Sequence, residues 1–316
     1  MVRLLGKRTL LGAFTLWAIS VVVFLATETL PGDPARAILG RTATPARLAA
    51  LREHLHLTGS PLAQYFHWLK DLGSFNFGHS LANGEPVGHI IGTTVVNSSV
   101  LMLCAAVIAI PLSIVIGTWS ALKRDTRADG ATSVVTLVLA ALPEFVIGVF
   151  LIVLFATGLF HALPAVFVVN PGQHTWSDPK QLVLPVLTLV LAVSPYIVRI
   201  MRATMQEVFE SEYVQQAQLK GLPERTVIWR HALPNSIGPV AQVIALQLAW
   251  LLGGVVLVEY LFRYPGIGFQ LTDAVNNRDL PVIQGLTLAI ALFYIMVNLL
   301  ADAITLIANP RVRTSR

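Results

Sequence analysis

Long stretches without basic residues recur along the chain, and each is long enough to cross a lipid bilayer. A transmembrane helix needs about 20 consecutive, mostly apolar residues. The stretches near or above that length are Thr9–Thr27, Ile90–Leu122, Ala131–Phe160, Gln181–Val198, Ala232–Val258 and Leu280–Ala301. Only the third contains an acidic residue, Glu144. The pattern therefore predicts an all-α integral membrane protein with six transmembrane helices.

The composition favours the same class of protein. Of the 316 residues, 55% are hydrophobic and only 12% are charged, whereas a soluble domain has about 25% charged residues. A water-soluble globule of this size would have too few polar side chains to cover its surface. The net charge of +5 does not indicate nucleic acid, because the basic residues cluster at the ends of the apolar stretches. The expected environment is a lipid bilayer.

The basic residues are divided unevenly between the two sides of the predicted bundle. One side has only Lys180, Arg263 and Arg278 in its short loops. The other side carries Arg3, Lys7, Arg8, Lys123, Arg124, Arg127, Arg199, Arg202, Lys220, Arg225, Arg230, Arg311, Arg313 and Arg316. Since short cytoplasmic loops are rich in Lys and Arg, both termini are predicted to be cytoplasmic.

This topology predicts how the chain is organised. Residues 1–29 form the N-terminal tail and first helix, which is retained because it is longer than the apolar part of a signal peptide and lacks a cleavage site. Residues 30–95 are an extracytoplasmic segment, in which a surface helix is predicted over Pro45–His56. Residues 96–308 are the core domain of five transmembrane helices, with a cytoplasmic loop at 201–235, and 309–316 are a cytoplasmic tail.

The loop at 201–235 has the pattern of two helices with a sharp break between them. A helix is predicted over Glu207–Lys220, and Gly221 suits a left-handed C-terminal break because it has no Cβ. Pro223 suits the first position of the second helix, and Pro234 marks the return into the membrane. Exposed Ile228 and Trp229 on this pair indicate either a docking surface for another protein or an amphipathic helix on anionic lipid.

The spacing within this loop resembles the EAA loop of ABC importer permeases, E-A-A-x3-G-x9-I-x-L-P. Here Gln215 and Gln216 replace Glu and Ala, while Ala217 and Gly221 match. His231 replaces Ile and is followed by the matching Leu233-Pro234. The wider string from Tyr213 to Asn235 is similar to the oligopeptide/dipeptide/nickel branch, in which Lys-Gly-Leu and Arg-His-Ala-Leu are usual.

Shorter strings in the same order extend the resemblance over nearly the whole chain. Leu30–Pro34 resembles the "PGDP" signature of that branch, Pro61–Leu69 resembles "PLxxQYxxWL", and Gly253–Gly268 resembles "GGxxxxExxFxxPGxG". Asn309–Arg313 resembles "DPRxR", with Asn for Asp. Phe75–Ser80 departs from the usual "GDxGxS", so no role is transferred to the missing acid.

The resemblance implies a type I ABC importer permease in the bacterial inner membrane. Its implied partners are a second homologous permease subunit, two ATPase subunits or domains, and an extracytoplasmic solute-binding protein. The chain has no G-x4-G-K-[ST] phosphate loop, so ATP hydrolysis is expected in a separate subunit and no catalytic residue or cofactor is expected here. The implied ATPase-docking loop comprises Gln215, Gln216, Ala217, Gly221, Arg225, Trp229, Arg230, His231, Leu233 and Pro234.

The residues leave the transported solute and the pathway open. In this branch peptides are the commonest cargo, and nickel, glutathione and oligosaccharides are alternatives. Glu144 is the pathway candidate, because an intramembrane carboxylate usually faces a cavity or a partner helix. The external histidines are not spaced as a helical metal pair, so no metal site is predicted. A stand-alone secondary transporter is the rival class, although it would not need the Arg- and Trp-bearing loop.

Overall fold

A computed structural model describes residues 2–29, 44–46, 60–168 and 173–308. Three sequence predictions therefore lie wholly or mostly outside the described residues. These are the Leu30–Pro34 string, the helix expected over Pro45–His56, and the C-terminal tail with the Asn309–Arg313 string.

The described residues are almost entirely helical. The main helices are α1 (Val2–Thr29), α2 (Pro61–Gly73), α3 (Val87–Leu122), α4 (Arg127–Ala141), α5 (Glu144–Ile152), α6 (Pro179–Phe209), α7 (Glu212–Leu219), α8 (Leu233–Phe262), α9 (Ile267–Asn277) and α10 (Leu280–Ala308). Two π-helical segments, Val153–Thr157 and Val227–Ala232, continue α5 and lead into α8 respectively. Within the described ranges, the β pairing consists of one bridge between His79 and Pro86.

Five of the six predicted transmembrane stretches correspond to single long apolar helices. In the described part of the chain these helices are Gly6–Thr27, Val87–Leu122, Pro179–Phe209, Glu224–Phe262 and Leu280–Ala303. The all-α membrane fold class is thus confirmed, and the number of spans reaches six if the remaining bent pair of helices is one span.

The third stretch, predicted as one helix over Ala131–Phe160, is instead broken. Helices α4 and α5 meet at an angle of 104°. The cause is local: Pro143 has no N–H to continue the helix, and its ring disfavours helical geometry at the residue before it. Leu142 is accordingly extended, with φ −89° and ψ 133°. Glu144 therefore lies in the first turn of a helix, where the helix dipole favours a carboxylate, rather than at a helix centre.

The described residues form two compact units. Unit one consists of 2–5, 98–168, 173–265 and 294–308, and unit two of 6–29, 44–46, 60–97 and 266–293. In unit one, α6 packs against α4, α5 and α8 and contributes many fully buried side chains, among them Leu184, Leu189 and Ile197. Asp178 caps this helix by accepting a hydrogen bond from the Lys180 N–H at 3.2 Å.

Unit two has its own apolar core, formed by Val87, Ile90, Ile267, Ala274, Val282 and Leu286. Gly285 allows α10 to approach α3 closely in this core. A Cβ at Gly285 would lie 2.9 Å from Val87 Cγ1 and 3.0 Å from Ile91 Cδ1. A larger residue at position 285 would therefore push these helices apart.

Glu259, just beyond the end of the fifth apolar stretch, faces the interior of unit one. Its side chain is fully buried in unit one and accepts a 2.5 Å hydrogen bond from the Ser98 hydroxyl. Position along an apolar stretch gives depth but not the direction in which a side chain points. In the folded unit, Glu259 on α8 points toward the polar Ser98 on α3.

Candidate docking loop and cavity

The first helix of the loop at 201–235 is interrupted, unlike the continuous helix predicted over Glu207–Lys220. Helix α6 extends to Phe209, and α7 begins only at Glu212. Ser211 occupies the N-cap position of α7 in an extended conformation, with φ −72° and ψ 144°, and its hydroxyl donates to the Val208 carbonyl. This side-chain hydrogen bond competes with the helical backbone pattern, so the loop begins with a turn at residues 210–211.

Gly221 adopts the predicted left-handed conformation, with φ +74°. Its N–H donates to the Gln218 carbonyl at 2.9 Å, and the Leu222 N–H donates to the Ala217 carbonyl at 3.4 Å. These two bonds form a Schellman C-cap, the motif in which glycine is preferred because other residues meet a steric cost at positive φ. The break between the two helical segments is therefore built into the backbone at this residue.

The second segment begins one residue later than predicted and does not end at Pro234. Pro223 occupies the N-cap position, and Glu224–Thr226 is the first helical turn. The π-helical segment Val227–Ala232 then continues directly into α8. Proline lacks an N–H donor, and a π-helical turn is one way in which a helix adjusts its hydrogen bonds. The side-chain amide nitrogen of Asn235 donates a hydrogen bond to the backbone carbonyl of His231 at 2.6 Å, so this carbonyl has a partner.

A small apolar core holds the two segments of the loop together. Val214 and Ala217 on α7 and Val227 on the second segment are buried against each other, and Val208 and Phe209 at the end of α6 pack around them. Ala217 was predicted to be part of a docking surface. Its burial gives it a supporting position within the loop instead.

Large apolar side chains nevertheless remain exposed around the Gly221 turn. Trp229 is 68% exposed, Leu219 is 86% exposed and Leu222 is 38% exposed. Ile228, expected to be exposed, is half-buried. The exposure of Leu219 and Leu222 was not predicted. Both residues lie close to the predicted break at Gly221, where the chain leaves the apolar core of the loop, and this position could have indicated that they are exposed.

The remaining predicted loop residues differ in exposure. Gln215, Gln216, Gly221, Arg225, Arg230 and Pro234 are exposed, whereas His231 and Leu233 are half-buried. The loop is attached to the neighbouring turn through Arg124, whose guanidinium lies 2.5 Å from a carboxylate oxygen of Glu210. This hydrogen bond raises the pKa of Arg124. The loop therefore exposes large apolar side chains together with polar and basic ones.

A cavity of about 640 Å³ lies elsewhere in unit one, between α4, α6 and α8. Polar side chains on its walls are Thr132, Ser133, Thr136, Tyr196, Arg199, Arg202 and Gln247. This cavity was not predicted from the sequence, where Arg199 and Arg202 were used only as basic residues that indicate the cytoplasmic side. Thr132, Ser133 and Thr136 lie on one face of α4, and this group of hydroxyl residues within an apolar stretch could have indicated a polar cavity wall.

Glu144, the predicted pathway residue, is not part of this cavity wall. It is half-buried, and one carboxylate oxygen lies 3.7 Å from the place that a Cβ on Gly254 would occupy. The Trp250 ring lies 3.3 Å from the same place. A side chain at Gly254 would thus reach both groups, so this glycine gives α8 the room to pass beside the carboxylate of Glu144.

Comparison with known proteins identifies relatives along nearly the whole chain. Residues 109–314 match the family described as "Binding-protein-dependent transport system inner membrane component", and residues 1–101 match the N-terminal domain of such membrane components. The probable peptide ABC transporter permease protein of Sinorhizobium fredii is 33% identical over 296 residues, 93% of this chain and 94% of that protein. The glutathione transport system permease protein of Shigella flexneri is 34% identical over 299 residues, 95% of each chain. The corresponding glutathione permease of Escherichia coli strain K12 is 33% identical over the same length.

Proposed function

The chain belongs to the family of binding-protein-dependent transport system inner membrane components, and from this membership we propose how its surfaces serve transport. It is a permease component of an ABC importer in the oligopeptide/dipeptide/nickel branch, a multi-pass inner-membrane protein. Permeases of this family work with ATPase and binding-protein partners, and the permease itself is the non-enzymatic membrane component.

The proposed assembly pairs this chain with a second homologous permease subunit. Two ATPase subunits or domains bind on the cytoplasmic side, and an extracytoplasmic solute-binding protein delivers cargo from outside. ATP hydrolysis takes place in the ATPase subunits. The loop at 201–235 is the part of this chain that docks into the ATPase.

The observation that carries the docking proposal is the exposed patch of Leu219, Leu222 and Trp229 around Gly221. Exposed apolar patches with a polar rim are typical of protein–protein interfaces, and tryptophan is prominent among residues that dominate binding energy. The patch is held by the buried Val214–Ala217–Val227 core, so it is ordered before a partner binds. Preordering lowers the entropy cost of association.

The loop is joined directly to two long apolar helices, α6 and α8, and can therefore pass motion to them. Helix α6 enters it with a single turn at residues 210–211, and the second segment continues into α8 without a break. A displacement of the patch by closing ATPases is therefore passed to α6 and α8. Alternating access requires two arrangements of the helices with different contacts to the partner, and ATP-dependent contacts at this patch supply that difference.

The proposed topology has both termini in the cytoplasm and residues 30–95 outside, with 96–308 as the core permease domain. Cysteine labelling from outside intact cells tests it, using Ser60→Cys and Ala128→Cys in a Cys104→Ser background. We expect Ser60→Cys to react and Ala128→Cys to remain unlabelled. The reverse result would contradict this orientation.

We propose di- or oligopeptides as the cargo, because relatives of similar length are named as peptide and glutathione permeases. Glutathione is itself a small peptide, so both names indicate one chemical class. Nickel or an oligosaccharide is the alternative, and the solute retained by the partner binding protein distinguishes these cargoes.

Gly221→Asp tests the docking role. An added side chain at this positive φ costs up to about 1–2 kcal/mol, and an aspartate places a negative charge close in sequence to the exposed Leu219 and Leu222. We expect the variant to insert and fold while losing ATPase copurification and solute uptake together. Trp229→Ala and Arg230→Glu should weaken both more mildly, through lost apolar contact and a reversed charge.

Gly84→Asp is the matched control for backbone strain. Gly84 has φ +74°, and as at Gly221 a Cβ would meet no atom within 4 Å, but Gly84 lies in the predicted external segment. It should keep the ATPase bound. If Gly221→Asp retains its ATPase and transports at the wild-type rate, the loop is not the coupling element.

A further inference from the structure

The cavity between α4, α6 and α8 has the size and lining of a ligand site. Its volume of about 640 Å³ lies within the range of about 300–1,000 Å³ that is usual for small-molecule pockets. Apolar side chains such as Leu137 and Val243 alternate on its walls with polar ones. A few converging polar groups on an apolar wall are what orients a bound ligand.

The cavity wall contains a guanidinium, that of Arg199, for which the described residues provide no carboxylate partner. Arg202 also lines the cavity but forms two hydrogen bonds to the Asp129 carboxylate, at 2.6 Å and 2.7 Å. A guanidinium binds carboxylates through paired hydrogen bonds. The wall therefore favours a ligand with an anionic group.

The other polar groups of the cavity need hydrogen-bond donors. The hydroxyls of Thr132 and Thr136 already donate to helix carbonyls, so toward the cavity they offer lone pairs. A complementary ligand thus combines a carboxylate with N–H donors.

We propose that this cavity binds the transported solute, and that Arg199 holds the free carboxylate of a short peptide. The inference rests on the proposed importer function and narrows its cargo to solutes with a free carboxylate. A phospholipid headgroup such as phosphatidylethanolamine presents an anion and an ammonium together, so the test separates cargo from lipid.

The experiment measures binding of tri-alanine and tri-alanine amide to the assembled transporter in phosphatidylcholine nanodiscs by equilibrium dialysis. The two peptides differ only at the C-terminal carboxylate. We expect tri-alanine to bind at least about ten-fold more tightly than its amide, since only its carboxylate can form paired, charge-assisted hydrogen bonds with the Arg199 guanidinium. Arg199→Gln should remove this preference, and Arg199→Lys should retain part of it.

Lys123→Gln is the matched control, because it removes a positive charge that is exposed and outside the cavity wall. It should leave the preference for the carboxylate unchanged. A second measurement locates the bound peptide: Ser133→Cys, in a Cys104→Ser background, should react with a maleimide more slowly when tri-alanine is present. Its amide should protect weakly.

Three outcomes would overturn the proposal. These are absence of saturable tri-alanine binding, equal binding of the two peptides, or a carboxylate preference that survives Arg199→Gln. Protection of Ser133→Cys by phosphatidylethanolamine nanodiscs and not by tri-alanine would assign the cavity to lipid. In each case an ATPase that still copurifies, and is lost in Gly221→Asp, would leave the importer function standing.

Discussion

Two aspartates, Asp129 in unit one and Asp279 in unit two, are nearly buried at helix starts but are stabilised in different ways. Their exposed fractions are 4% and 3%. Asp129 accepts two hydrogen bonds from Arg202 and one from the Ser120 hydroxyl at 2.6 Å. Asp279 accepts from the Ser80 hydroxyl at 2.5 Å.

Backbone N–H groups complete the second site. Those of Leu81 and Ala82 lie 3.1 Å and 3.3 Å from the Asp279 carboxylate. One carboxylate is thus balanced by a full positive charge and the other by dipoles. Removing the Asp129 carboxylate leaves the Arg202 guanidinium without its partner, whereas removing the Asp279 carboxylate leaves only neutral donors unpaired. The two sites should therefore respond differently to substitution.

The largest expected effect is that of Asp129→Ala. Breaking a buried ion pair from one side costs about 3–5 kcal/mol, and the effect here should fall near the lower value because the Arg202 side chain is 28% exposed. The measurement is the free energy of unfolding in detergent. Asp129→Ala/Arg202→Met should recover much of the loss, because no charge is then left unpaired. If the double variant is as unstable as Asp129→Ala, the unpaired charge of Arg202 is not the cause of the loss of stability.

Asp279→Ala should have the next largest effect, about 1–3 kcal/mol, because it leaves one hydroxyl and two N–H groups without their acceptor. No companion substitution of a charged partner should rescue it. Asp279→Asn keeps one acceptor oxygen and should lose less than Asp279→Ala. Thermal unfolding of the two variants under the same conditions ranks them, and equal losses would contradict the role assigned to the neutral donors.

Ser80→Ala and Ser120→Ala form a matched pair, since each removes one hydroxyl that donates to a buried carboxylate. The expected losses are about 1.5 kcal/mol for Ser80→Ala and less for Ser120→Ala. Asp129 keeps its two bonds from Arg202, whereas Asp279 keeps only backbone donors. Shifts of the unfolding midpoint test this order, and a larger shift for Ser120→Ala would reverse the comparison.

Arg124→Ala should have the smallest effect, with no measurable shift of the unfolding midpoint. Its ion pair with Glu210 lies in water, where solvent and salt screen the attraction. The comparison is with Arg202→Ala, which removes the partner of a buried carboxylate and should destabilise strongly. A midpoint shift for Arg124→Ala that rivals that of Arg202→Ala would show that exposure does not decide the strength of these pairs.

Much of the fold was predictable because apolar length and backbone-breaking residues act locally. The apolar stretches predicted the long helices within a few residues, and the lack of a Cβ at Gly221 predicted its positive φ. The bend at Pro143 was also encoded locally, because a proline inside an apolar stretch predicts a kink, but nothing in the sequence indicated an angle as large as 104°.

The sequence by itself determined which stretches are long and apolar enough to span a membrane, where the loop at 201–235 breaks and which family the chain resembles, since all three depend on neighbours along the chain. Only the tertiary structure decided that Arg202 pairs with Asp129, 73 residues away, that Glu259 faces Ser98, and that Arg199 and Gln247 line one cavity. The reason is that these pairings depend on how each helix is rotated about its own axis. Apolar length sets how far a helix extends, but only packing against its neighbours sets which face it turns toward them.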